Sequence, residues 1–210
     1  MNSNSGGEKL VAGRQDAYRA RTRVSLLRSA QQVLAEVGLS ATIEDLANQA
    51  QVSPATIYNH FENKVEYLKE ALANLWQAQL LLAYDGRPEG QDLETMIEVC
   101  RKLFRVDRTK TLFGQVMSKT LSDSSFVIQA LRSSGTESFK SATQKSGVDS
   151  DDFETKVDIW AYCLAGIFHG VFVSNKYSSE EADSALRMSL AIWGLNKAQA
   201  EKLTSKPISF

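Results

Sequence analysis

Residues 42–68 read TIEDLANQAQVSPATIYNHFENKVEYL, and this stretch decides the fold. Thr42 offers a side-chain oxygen to the open N–H groups of a following helix, and Asp45 sits at the capping-box position, where Glu is more usual. A short helix over 43–50 follows. Ser53 and then Pro54 form a second start signal, an N-cap followed by a proline whose missing N–H costs nothing at the first helical position. That second short helix runs to about Phe61. Leu46, Ala47 and Ala50 on the first helix, with Val52, Ile57 and Phe61 around the second, are the apolar set that packs the pair together. Two short helices separated only by Gln51, Val52 and Ser53 have the dimensions of a helix-turn-helix.

The residues left over on the second helix are Ala55, Thr56, Tyr58, Asn59 and His60, small or hydrogen-bonding and none acidic. An acid on that face would repel phosphates, so its absence suits contact with DNA. Tyr58 is the sharpest of them: a phenol pointing out of a two-turn helix is costly for solubility and useful against a phosphate or a thymine methyl. Upstream, Val24, Leu27, Ala30, Val33 and Leu34 mark an amphipathic helix that stops near Gly38, a good C-terminal glycine. Residues 1–20 begin Gly/Ser-rich, turn basic, and are expected to form a flexible arm. Between residues 9 and 28 the bases are Lys9, Arg14, Arg19, Arg21, Arg23 and Arg28, against Asp16 alone, so six minus one leaves +5. Such an arm either follows phosphates or enters a minor groove, or else is a solvated tail; a DNA-contacting arm is the preferred reading.

Downstream, a long amphipathic helix is expected over 64–84, ended by Asp85-Gly86-Arg87-Pro88. Stripes at helical spacing follow: Leu93, Met96, Ile97, Cys100, Leu103 and Phe104, then Leu112, Phe113, Val116, Met117 and Leu121. A more polar helix over 126–145 is expected to loosen around Ser133-Ser134-Gly135. The most apolar helix spans 153–175, and the last spans 180–195. Strand signals are scarce and Pro occurs only at 54, 88 and 207, so the fold class is all-α. The expected division is an arm over 1–20, a three-helix helix-turn-helix domain over 21–68, and a larger helical domain over 69–210.

Composition narrows the function. In 210 residues, 24 Lys+Arg against 25 Asp+Glu give a net charge of −1, which excludes a surface that binds polyanions everywhere but leaves room for the local basic patch. Cys100 and Cys163 have no CxxC spacing, and only His60 and His169 could add imidazoles, so no metal or cofactor is expected. The N-terminus lacks a signal-peptide core, and the apolar run over 159–173 falls short of the roughly 18 residues of a membrane span. A cytoplasmic protein without a membrane partner is expected. No GxSxG, Walker or GxGxxG pattern occurs. Asp149, Asp151, Asp152 and Glu154 look like a catalytic cluster but suit a helix start, where acids offset the positive end of the dipole. No catalytic residue is nominated.

The segment 22–70 resembles the DNA-binding domain of the TetR (tetracycline-repressor-like) family of bacterial transcriptional regulators. The resemblance rests on Thr42, Leu46-Ala47, Ala50, Val52-Ser53, Thr56-Ile57-Tyr58, His60-Phe61, Lys64 and Leu68, in register and without gaps. It implies that Thr42 and Ser53 hold phosphates at helix N-termini, that Tyr58, His60 and Lys64 grip the backbone, and that Ala55, Thr56 and Asn59 face base edges. Gln51 departs from the pattern, which usually has glycine there, so it must adopt an uncommon backbone conformation or reshape the turn.

The resemblance also implies a small-molecule cavity in the larger domain, for which Trp76, Phe104, Phe113, Met117, Phe126 and Trp160 are the nominated walls. Apolar and aromatic walls call for a hydrophobic or aromatic effector. Ile159, Cys163, Gly166 and Gly170 share one face of the most apolar helix and are nominated as a homodimer interface, with the glycines allowing close helix approach. The reading is a homodimeric, non-enzymatic transcriptional regulator, a repressor released from a palindromic operator by its ligand. The alternative is a helical small-molecule-binding protein or enzyme whose first helices only resemble the motif.

Overall fold

The computed structural model describes residues 5–85, 92–148 and 151–208, with side chains from Arg14 onward except at several positions in the seventh helix. Among the described residues there are ten α-helices and no strand. They are α1 (Ser5–Val37), α2 (Ile43–Ala50), α3 (Pro54–Tyr58), α4 (Lys64–Tyr84), α5 (Leu93–Leu103), α6 (Leu112–Thr120), α7 (Ser124–Lys145), α8 (Phe153–Phe172), α9 (Ser179–Ser189) and α10 (Lys197–Thr204). No helix among the described residues is long and apolar enough to cross a membrane.

The N-terminal core is built from one face each of α1, α2 and α4, closed by α3. Leu26, Leu34, Leu46, Ile57, Phe61 and Tyr67 are all essentially buried in it. Val24, expected in the first apolar stripe, is instead half-exposed, while Leu27, Ala30, Val33 and Leu34 are buried. The expected flexible arm is helical from Ser5 and continuous with α1. No proline interrupts residues 5–37, and Ala, Arg, Gln and Leu dominate their second half, so nothing stops a helix nucleated by the packed part. It ends at Gly38, whose φ of +66° suits glycine and whose Cα lies against α6: a Cβ there would stand 2.9 Å from the Lys119 carbonyl oxygen.

The body is layered around α8, which packs between α7 and α9 and also touches α6. Trp76, Phe104, Phe113, Phe168 and Phe172 meet at centroid distances of 5.1–6.1 Å, edge-on or tilted except for the stacked Phe168–Phe172 pair. A second cluster holds Phe139, Phe153, Trp160 and Trp193. α7 runs unbroken through Ser133-Ser134-Gly135, because packing of Phe139 on Trp160 at 4.6 Å fixes the helix against α8 and overrides weak propensity. The expected final helix stops early at Ser189, tightens into a 3₁₀ turn over Leu190–Trp193, and ends at Gly194 with φ +73°. A further helix, α10, then starts from an Asn196–Gln199 capping box. At the start of α8, Asp152 is the N-cap residue and Glu154 lies in the first turn; Asp149 lies outside the described residues.

Candidate nucleic-acid interface

Both caps of the helix-turn-helix form. The Thr42 hydroxyl accepts from the Asp45 N–H at 3.1 Å, while the Asp45 carboxylate accepts from the Thr42 N–H at 2.9 Å and the Thr42 hydroxyl at 2.7 Å. The hydroxyl bond first, then the backbone bond, holds the Asp45 carboxyl below its ordinary pKa. Both Thr42 donors are thus engaged by the Asp45 carboxylate. The turn is carried by Gln51 at φ +55° and ψ +42°, the first of the two outcomes expected for a residue other than glycine there. Its N–H donates to the Asn48 carbonyl at 3.1 Å, and the Val52 N–H donates to the Ala47 carbonyl at 3.0 Å. Ser53 then caps α3 by accepting from the Thr56 N–H at 3.3 Å, and the two hydroxyls lie 3.0 Å apart.

Ile57 is fully buried, and this one anchor sets the roll of α3. Ala55, Tyr58 and Asn59 therefore face outward and Thr56 is half-buried beside them. Tyr58 is 51% exposed, large for an aromatic on so short a helix. The Lys64 ammonium donates to the Ala41 carbonyl at 2.9 Å, tying the start of α4 to the start of α2 and leaving two of its three protons for other acceptors. His60 is half-buried with Nδ1 enclosed and lacking a partner among the described residues. Burial, then the charges of Arg19 and Arg23, push its pKa down, so it meets its surroundings as a neutral imidazole at pH 7.

Two arginines of the basic segment bond to the end of α3, which the sequence pattern did not distinguish. Arg19 donates to the Asn59 carbonyl at 3.1 Å. Arg23 donates to the His60 carbonyl and to the Glu70 carboxylate on α4, and its guanidinium lies 4.3 Å above the Phe61 ring. Phe61 in turn stacks on Tyr67 at 4.3 Å, and the buried Tyr67 hydroxyl, its pKa raised by burial, donates to the Leu26 carbonyl at 2.6 Å. Arg14, Arg21 and Arg28 are exposed.

In the body, Trp76, Phe104, Phe113 and Met117 are buried in one neighbourhood, the first three through contacts with Phe168 and Phe172. Trp160 does not join them: it stacks on Phe139, and its Nε1–H donates to the Ser189 hydroxyl at 2.9 Å. Trp160 lies about two turns before Phe168 on α8, and at that level of the helix its ring neighbours are Phe139 and Trp193. The Phe126 side chain lies outside the described residues. On the nominated interface face, Ile159 is 49% and Tyr162 64% exposed, Cys163 is half-buried, and Gly166 is open, with no atom within 4 Å of where a Cβ would stand. Gly170 departs from that face. It is covered by Tyr177 of the same chain, whose ring a Cβ would strike, and its carbonyl accepts from the Lys176 N–H at 2.8 Å. The close approach at Gly170 is therefore intramolecular.

A capped helix pair, its roll set by one buried isoleucine, forms a helix-turn-helix unit joined through a 21-residue helix to a long-helical body. Residues 26–71 match the family described as "Bacterial regulatory proteins, tetR family". Similar solved structures include RolR in complex with resorcinol, at 16% identity and TM-score 0.68, covering 93% of this chain and 98% of that one. RolR without ligand is similar at 15% identity and TM-score 0.67, over 90% of this chain and 98% of that one. A putative TetR-family regulator from Rhodococcus sp. is similar at 19% identity and TM-score 0.59, over 82% of this chain and 98% of that one. At these identities the likeness establishes a shared fold. No curated protein matches the chain.

Proposed function

We propose that the chain is a cytoplasmic, non-enzymatic homodimeric repressor that reads a palindromic operator through α3 and is released by a small hydrophobic or aromatic effector. The observation that carries the reading is the outward face of α3: Ala55, Tyr58 and Asn59, with Thr56 at its edge and no acid among them, held in place by buried Ile57. Thr56 and Asn59 have the hydrogen-bonding groups and the length to reach base edges in a major groove, with Ala55 giving close approach. Tyr58, His60, Ser53 and the remaining donors of Lys64 suit phosphates, and Arg14, Arg21 and Arg28 can follow the backbone beyond the helix-turn-helix. The unit over 21–68 then acts as the DNA reader and residues 69–210 as the ligand and dimer unit. The effector class follows from Trp76, Phe104, Phe113 and Met117, apolar walls with an adaptable thioether; RolR, of the same fold, was solved with resorcinol, a small aromatic.

The test is to select duplexes with the purified protein and measure affinity for the enriched operator. Tyr58→Ala should weaken binding to every sequence, whereas substitutions at Thr56 or Asn59 should change preference at particular base positions by about 1–3 kcal/mol. Unchanged operator affinity in Tyr58→Ala would show that α3 is not presented in this orientation. A small-molecule panel read first by thermal shift and then by DNA release tests the effector class, and release only by metal ions or highly charged metabolites would refute it.

A further inference from the structure

The five residues of α3 are too few to hold a helix by themselves, so its direction is set by what grips its ends. Ser53 fixes the first turn and Ile57 the middle. At the far end, the Asn59 and His60 carbonyls are acceptors at the negative end of the helix, where a cationic donor is favoured. Arg19 and Arg23, one turn apart on α1, supply those donors. Arg23 does more than satisfy a carbonyl. Its planar fork reaches the His60 oxygen and the Glu70 carboxylate together while its face covers Phe61, so one side chain joins α1, the end of α3, and α4. Glu70 also neutralises its charge, unlike that of exposed Arg14, for which no carboxylate partner is found among the described residues.

Resting on the DNA-reading function proposed above, we infer that Arg23 is a positioning residue for operator recognition: it fixes the angle at which α3 is presented, through His60 O, Phe61 and Glu70, and binds no phosphate itself. Because Glu70 lies on the helix that runs into the body, the same three contacts make the direction of α3 answer to any displacement of α4 against α1.

Phosphate contacts and positioning contacts separate in salt dependence. Each lost phosphate contact lowers the slope of log K against log salt by about 0.9, whereas a lost positioning contact lowers affinity equally at every salt concentration. The experiment uses the full-length chain, its selected operator and a random duplex of equal length, with the melting temperature of the free protein recorded beside each titration. Arg23→Gln should lower operator affinity about tenfold or more with unchanged slope, leave random-duplex affinity unchanged, and shift melting by no more than a few degrees. Arg14→Gln, the control for a solvent-facing base, should lower the slope and weaken both duplexes alike. Arg23→Lys keeps the charge but cannot make the three contacts, so operator selectivity should stay low. Glu70→Gln, a milder change if Arg23→Gln folds poorly, should narrow the operator-to-random ratio in the same direction. A slope reduced by about one in Arg23→Gln, full selectivity in Arg23→Lys, or affinity loss that merely tracks lost thermal stability would each overturn the assignment. If the unsubstituted protein fails to prefer its selected operator over random duplex, the DNA reading itself falls, independently of Arg23.

Discussion

Gln51 occupies the tightest point of the recognition motif in a left-handed conformation, φ +55°, that costs a residue with a Cβ about 1–2 kcal/mol. Gln51→Gly should therefore stabilise the protein, with the extra freedom of glycine in the unfolded chain cutting the net gain to about 0.5–1 kcal/mol. Urea unfolding is the measurement: a midpoint that rises with unchanged slope fits, and one that falls means the glutamine side chain makes a compensating contact. The resemblance marked this position as one where glycine is usual and left an uncommon conformation or a reshaped turn open; the backbone takes the first. Leu46, Ile57 and Phe61 were legible as core and Tyr58 as exposed, since helical spacing alone assigns them to faces. What long polar side chains touch was not legible. Arg23 finds Glu70 across 47 positions of sequence, and Lys64 finds the Ala41 carbonyl across 23, contacts created by packing and invisible to local patterns. Thr42 shows the same limit at short range: its cap was readable, but that its hydroxyl also donates to the Asp45 carboxylate was not.

Helix starts proved easier to read than helix stops, because a start is marked by a side chain that caps and a stop by backbone conformation alone. The α4 range, 64–84, coincides with expectation, with the Asn63 side chain accepting from the Glu66 N–H. The end of α9 does not, since apolar spacing continues through Leu190 and Trp193 while the backbone tightens to a 3₁₀ turn. The missed α10 had its signal in Asn196 and Gln199, a capping box of the kind recognised at Thr42. Also hidden was the charge cluster joining α5 to α9. Buried Asp183 accepts from Arg101 Nε at 3.0 Å and from both terminal nitrogens of Arg105, at 3.0 and 2.8 Å. Arg101 also donates to the Lys206 carbonyl at 2.7 Å, fastening the segment after α10 to the same site. Asp183→Ala would leave two guanidinium groups without their carboxylate, one of them almost wholly buried, at a cost of about 3–5 kcal/mol. Chemical denaturation should register that loss. A destabilisation under about 1 kcal/mol would mean that solvent reaches the cluster and that it does not hold α5 against α9.

At the scale of the whole molecule, the surface of α8 and α9 is unusual for a chain that ends its business alone. Ile159, Tyr162 and Met188 project from it at 49%, 64% and 73% exposure, with Gly166 as a flat place between side chains. The homodimeric repressor proposed above needs an association surface that fixes the spacing of its two recognition helices, and exposed apolar groups on these two helices suit that role. The two glycines of α8 now make opposite predictions. A Cβ at Gly166 meets no neighbour within 4 Å among the described residues, so Gly166→Leu should leave helicity and the monomer fold intact while overpacking the proposed partner contact. Light scattering should then find mass shifting from dimer to monomer, and operator affinity should fall because half-sites are no longer read together. Gly170→Leu strikes the Tyr177 ring inside the same chain, so it should lower thermal stability whatever the oligomeric state. A Gly166→Leu protein that remains dimeric at the concentration where the unsubstituted protein is dimeric would move the interface off this face of α8. An unsubstituted protein that is monomeric while binding its operator tightly would remove the need for the interface altogether.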